Sequence, residues 1–213
     1  MNIIENQAED ILKKTINNYK STNNKYFILC DTITEKLCLP ILESICETSF
    51  SDNLIVINYG EKNKNIDSCM HIWQQLLDKN ATRQSILCCL GGGIVCDMGA
   101  FVAATFKRGI PYILIPTTLI AQIDAAIGGK SAINFGHIKN QIGVFSYNTE
   151  TFIISRFLDT LPDKEIYSGF AEMLKHALIA DKSYWSKLSN IQDINQIKNI
   201  NFIKNIINWE LTI

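Results

Sequence analysis

Three consecutive glycines, Gly91, Gly92 and Gly93, interrupt an otherwise apolar stretch. Before them stand residues 85–90 (SILCCL). After them come Ile94, Val95, Cys96 and Asp97, then the small, apolar segment 98–106. This order predicts strand, glycine turn and helix. Glycines at such a turn let backbone N–H groups approach a phosphate, and the following helix directs its positive N-terminal end at the anion. The same residues also suit a tight turn beneath a packed helix, so both readings stay open on these residues alone. A membrane span over 86–106 is the poorer reading, because Asp97 and four glycines (Gly91, Gly92, Gly93, Gly99) fall inside it.

The flanking pattern repeats the alternation. Residues 26–30 (YFILC) read as a buried strand closed by Asp31 and Thr32. Residues 34–47 have helical apolar spacing through Leu37, Ile41, Leu42 and Ile45. Residues 54–57 predict a second strand. Residues 66–77 predict a second helix, with Ile66, Met70, Trp73 and Leu77 on one face. Strands at 85–90 and 112–115 follow, then a short apolar run at 151–154 and a helix over 163–180 behind Pro162. Strands alternating with helices predict an α/β fold: a Rossmann-like, mostly parallel sheet with helices on both faces. Ligands of such sheets bind beyond the carboxyl ends of the strands. Asp31, the segment Tyr59-Gly60-Glu61, the glycines and Pro116-Thr117-Thr118 all sit there.

Lys and Arg number 20 against 21 Asp and Glu, so no nucleic-acid partner is suggested. The N-terminus, MNIIENQAEDILKK, is polar and acidic where a signal peptide would be apolar. Seven scattered cysteines without a C-x-x-C pattern fit a reducing, cytoplasmic setting better than a disulfide scaffold.

The segments downstream are specific. They are RGIPYILIPTTLIAQIDAAIGGKSAIN (108–134), IKNQIGVF (138–145), FLDTLP (157–162) and SGFAEMLKHALIAD (168–181). In this order and spacing they resemble 3-dehydroquinate synthase of the shikimate pathway; sister sugar-phosphate cyclases share much of the pattern. The resemblance implies a lyase-type cyclisation of a small phosphorylated sugar acid. It also implies NAD, a divalent metal (zinc or cobalt) and a homodimer in the complete protein, with no membrane partner. It divides the chain into an NAD-binding α/β domain (1–155) and the beginning of an α-helical metal and substrate domain (156–213).

Individual residues carry two readings each. Asp97 suits a helix start; the resemblance sets it against the cofactor. Glu61 and Lys64 have the spacing of an exposed ion pair; in the family a G-E-x-x-K segment holds the cofactor's ribose. Tyr59 stands where an acidic residue is usual. Thr117 and Thr118 suit a helix cap and, by resemblance, the cofactor. Asp31 joins the same cofactor set.

Asp124, Gly128-Gly129-Lys130 and Lys139-Asn140 form the densest polar cluster. It reads as a solvated loop, or as glycines giving a ligand close approach beside a lysine. By resemblance, Asp124, Lys130, Lys139 and Asn140 serve substrate and cofactor. The run Phe135-Gly136-His137-Ile138 departs from the family. Arg108 suits a helix C-terminus; the resemblance sends it across a dimer interface to the substrate phosphate. Phe157, Leu158 and Thr160 match the family's adenine-side segment, although core packing explains Phe157 and Leu158 equally.

Glu172, Lys175 and His176 share one side of a helix. The resemblance makes Glu172 a metal ligand and Lys175 a substrate lysine. His176 is spaced to join Glu172, whereas the family's histidine ligands lie further along. His71 and His137 have no ligand-like neighbours. The chain is expected to be a fragment whose activity alone is doubtful, and the apolar spacing over 194–213 predicts a helix face needing cover. A metal-dependent polyol dehydrogenase and a non-catalytic nucleotide-binding fragment remain the other classes.

Overall fold

The computed structural model describes residues 2–146, 149–180, 182–191 and 193–198. Its core is a six-stranded sheet in the order β1-β8-β5-β4-β2-β3. The strands are β1 (Asn2–Ile4), β2 (Tyr26–Asp31), β3 (Leu54–Ile57), β4 (Ile86–Gly91), β5 (Tyr112–Pro116) and β8 (Glu150–Phe152). Every pairing in it is parallel. The helices are α1 (Ala8–Ser21), α2 (Thr34–Leu37), α3 (Leu39–Cys46), α4 (Ile66–Asp78), α5 (Gly93–Thr105), α6 (Asp163–Ala180), α7 (Lys182–Leu188) and α8 (Ile194–Ile197).

Parallel strands covered on both faces read as unbroken apolar runs, and β2, β4 and β5 do. Successive residues feed opposite cores. Phe27, Leu29, Leu87 and Cys89 pack with α4 and α5, whereas Ile28, Cys30, Cys88 and Leu90 pack with α1 and α3. The chain runs from β2 outward to β3 and returns to place β4 on the other side of β2. That reversal opens a crevice at the carboxyl ends of β2 and β4, where doubly wound sheets bind ligands.

A third core joins the loop after β5 to the last helices, through Leu119, Ile123, Ile127, Ile166, Met173, Tyr184 and Ile197. Gly169 of α6 lies so close to Leu119 that an added Cβ would come within 2.6 Å of its side chain.

Several expectations are corrected. The helix read over 34–47 is two helices broken at Cys38, because Pro40 lacks the N–H that would bond back one turn; it is tolerated only in the first turn of α3. The buried stripe of α4 is Cys69, Ile72 and Leu76, while Met70 and Leu77 are half exposed. Asp97 lies in the second turn of α5, not the first. The region read as a polar loop is instead an antiparallel hairpin, β6 (Lys130–Phe135) and β7 (Ile138–Phe145). Its two-residue loop starts at Gly136 with φ 59°, the glycine-first arrangement that such turns favour. The strand β1 and helix α1 were not anticipated. Most of the apolar face expected over 194–213 lies outside the described residues.

No described helix is long and apolar enough to cross a membrane. All seven cysteines are buried and free.

Candidate functional site

The site grows from the loop after β3. A short turn, Glu61–Asn63, carries Lys64 inward until the residue is only 5% exposed. Its Nζ donates to Asp97 Oδ2 at 2.6 Å and to Asn140 Oδ1 at 2.6 Å. Three separate segments therefore meet on one ammonium. Glu61 does not pair with Lys64. It accepts from Asn134 Nδ2 at 2.9 Å and faces Lys139 Nζ at 3.5 Å.

Beside this network lies a cleft of about 440 Å³ lined by Asp97, Asp124, Lys130 and Asn140, with Ser131 and Phe145 among its walls. Asp124 is held there by a five-residue π turn, Ala121–Ala125, of the kind that often marks functional sites. Burial pushes the Asp97 carboxyl above its ordinary pKa; Lys64 opposes this, and Asp124 and Glu61 add to the rise by repulsion. Glu61 is held below its ordinary value, first by the Asn134 hydrogen bond and then by Lys139 and Lys64.

The glycines are needed for close packing rather than for unusual dihedrals, since none of Gly91, Gly92 and Gly93 has positive φ. A Cβ on Gly91 would meet Val95 at 2.6 Å and one on Gly92 would meet Thr118 Cγ2 at 3.0 Å. Gly92 caps α5, whose first N–H groups have no partner within the helix. Thr117 N donates to Gly91 O at 2.9 Å, tying β5 to the glycine turn. Thr118 Oγ1 accepts from Ala121 N at 3.2 Å, so it caps the next turn as its sequence position suggests.

Asp31 is buried and spends Oδ1 on the N–H groups of Ile33 and Thr34, each at 2.9 Å. Thr160 Oγ1 donates to Phe157 O and lies 3.5 Å from Cys38 Sγ. Phe157 and Leu158 are wholly enclosed, in different cores.

Other expected residues stand apart from the cleft. Arg108 is exposed at the far end of α5, with φ 69°, beside a hollow it shares with Ala81, Thr82, Arg83 and Lys107. It stands eleven positions after Asp97, beyond the end of α5 at Thr105. On α6, Glu172 pairs with Lys175 and lies 3.2 Å from His176 Nε2. Among the described residues no three His, Cys, Asp or Glu side chains come together as a metal site. A larger hollow, about 800 Å³, opens at the amino ends of β4, β5 and β8, between Tyr19, Tyr112 and Glu150; none of the expected residues lines it. Asn134 went unrecognised in the sequence, where it merely ends the GGKSAIN segment.

The 3-dehydroquinate synthase N-terminal family matches residues 54–168.

The chain belongs to the 3-dehydroquinate synthase family.

Curated 3-dehydroquinate synthases match over most of the chain. That of Parabacteroides distasonis is 45% identical, covering 78% of this chain and 46% of the relative. That of Chlamydia trachomatis serovar L2 is 43% identical, covering 84% and 47%. The chain thus spans about half the length of these relatives. Among solved structures, the fold resembles a 2-epi-5-epi-valiolone synthase from Streptomyces hygroscopicus with NAD+ and Zn2+ bound. The TM-score is 0.74 and the identity 25%, with 89% of this chain and 54% of that one covered. It also resembles a 2-deoxy-scyllo-inosose synthase complexed with carbaglucose-6-phosphate, NAD+ and Co2+. There the TM-score is 0.78 and the identity 20%, with 100% and 59% covered. Membership of the family and the parallel α/β fold thus rest on independent observations.

Proposed function

We propose that this chain is the cofactor-binding part of a cytoplasmic 3-dehydroquinate synthase. The whole enzyme would convert 3-deoxy-D-arabino-heptulosonate 7-phosphate to 3-dehydroquinate with release of phosphate, as a homodimer using NAD and a divalent metal. Residues 1–155 would form the NAD domain and residues 156–213 the beginning of the helical domain. The observation that carries the reading is the convergence of Asp97, Asp124, Lys130 and Asn140 on one cleft beyond the strand ends.

The residues present fit NAD. The packed glycine turn leaves backbone N–H groups at the head of α5, and Thr117, Thr118, Glu61, Lys64 and Lys130 add hydroxyl, carboxylate and ammonium partners. When bound, NAD supplies a hydride acceptor that is restored within the cycle, so the net cyclisation is redox neutral. Around it the protein's own groups orient and neutralise. Lys130 and Lys139 would hold anionic oxygens, and Asp124 and Asn140 would take hydroxyl groups. Asp31 and Thr160 would stand on the adenine side, with Phe157 and Leu158 as packed support. Arg108 would serve the phosphate of a second protomer; it does not line its own cleft. Lys175 would hold substrate from α6.

The described residues do not fit a complete metal site. Glu172 and His176 supply two groups, and a catalytic zinc normally needs three protein ligands.

Calorimetric titration with NAD tests the reading. Saturable binding is expected, and Gly92→Val should abolish it by driving the new side chain into Thr118. No heat at millimolar NAD would refute the cofactor role. Phosphate release from the heptulosonate phosphate, assayed with NAD and zinc or cobalt, separates a competent chain from one that only binds.

A further inference from the structure

Asn134 joins the 60–64 turn to the β6–β7 hairpin beside the cleft. Its backbone N–H donates to Lys64 O at 2.9 Å. Its side-chain Nδ2 donates to Glu61 Oε1 at 2.9 Å, and its Oδ1 accepts the backbone N–H of Asn140 at 3.0 Å. Both polar ends of the amide are thus consumed, each by a different segment. One bond fixes Asn140 from the backbone side, where it adopts φ 55°, a left-handed conformation that asparagine tolerates better than most residues. Lys64 fixes the same residue through its side chain. The other bond aims the Glu61 carboxylate, which also faces Lys139.

Asparagine is a poor strand former, and Asn134 stands where the β6–β7 register is irregular, between Ile133 and Phe135. Hairpin formation alone does not call for it. A residue with a donor on one side and an acceptor on the other is what the two flanking groups require.

We propose that Asn134 is a positioning residue that locks the 60–64 turn to the β6–β7 hairpin and thereby presets Glu61, Lys139 and Asn140 before any ligand arrives. Its consequence for cofactor affinity rests on the NAD reading. The lock itself does not. Asn134→Ala removes both side-chain bonds. Asn134→Asp keeps the acceptor for Asn140 N–H but replaces the donor with a carboxylate facing Glu61.

Amide exchange, carboxyl titration by NMR and NAD calorimetry on the same variants form the test. In Asn134→Ala the Asn140 amide should exchange about tenfold faster, since one net hydrogen bond is lost. Amides of β4 should be unchanged, which also shows that the variant is folded. Asn134→Asp should keep the Asn140 protection. Glu61 should titrate at higher pH in both variants. NAD affinity should fall about tenfold in both, because preorganisation is lost. Unchanged exchange and an unchanged Glu61 titration in Asn134→Ala would overturn the proposal. An unmodified chain that binds no NAD would refute the cofactor reading, while the exchange and titration results would still decide the lock.

Discussion

Replacing Asp97 probes the electrostatics of the cleft most directly. Its pair with Lys64 is nearly dry: the side chains are 17% and 6% exposed, and the contact is 2.6 Å. Asp97→Leu leaves the Lys64 ammonium with only a neutral carbonyl, Asn140 Oδ1, as its side-chain partner. Breaking a buried pair from one side costs about 3–5 kcal/mol, a large share of the ~5–15 kcal/mol that holds an ordinary domain. Burial raises the Asp97 pKa despite Lys64, so desolvation outweighs attraction here. The double variant Lys64→Met/Asp97→Leu should therefore recover most of the loss and lie within about 1 kcal/mol of the parent.

The pH dependence follows from the same imbalance. The folded state holds the Asp97 proton more tightly than the unfolded chain, whose ordinary value is 3.8. This group's contribution is present below that value, falls as pH rises through the raised folded value, and is flat above it. Lys64→Met removes the opposing attraction and should deepen that fall. Urea denaturation of the four proteins across pH gives the cycle. Single variants each costing under about 0.5 kcal/mol, with an additive double variant, would refute the reasoning.

Other expectations are simpler. Gly143→Ala would press its new Cβ onto the Ser131 carbonyl across the hairpin; it should broaden the β6–β7 resonances and cost about 1–3 kcal/mol in denaturant. Gly99→Ala would thrust into Cys89 Sγ where α5 crosses β4, and should lower stability by a similar ~1–3 kcal/mol, read as a shifted urea midpoint. All seven cysteines are buried, and burial raises every one of their pKa values; a thiol reagent should label the native chain only as fast as it opens, and all seven at once in denaturant. Rapid labelling of any cysteine under native conditions would contradict the described packing.

The central strands were legible because burial on both faces leaves little choice of residue: YFILC and SILCCL admit few other readings. The short β1 has three residues, and its partner lies almost the whole sheet-forming chain away, so no local pattern marks it. In α4, two stripes offset by one position are almost equally apolar. Met70 and Leu77 outweigh Cys69 in hydrophobicity, yet packing against α5 selects the cysteine side. The hairpin was hidden because β7 is exposed along nearly its whole length and so lacks alternation. Lys64 illustrates the limit at the site. Spacing offers Glu61 as its partner, but the tight turn buries the ammonium, and only the folded topology brings Asp97 to it.

The place of β1 has a consequence for synthesis. Asn2–Ile4 are made well before their partner, Glu150–Phe152, the strand that itself docks on β5. At ~5–20 residues per second, the ribosome takes roughly 7 to 30 s to deliver that partner. Throughout that interval β1 has no seat in the sheet. β1 thus waits for a strand made long after it, and a change within Asn2–Ile4 would act late in sheet assembly rather than at its start.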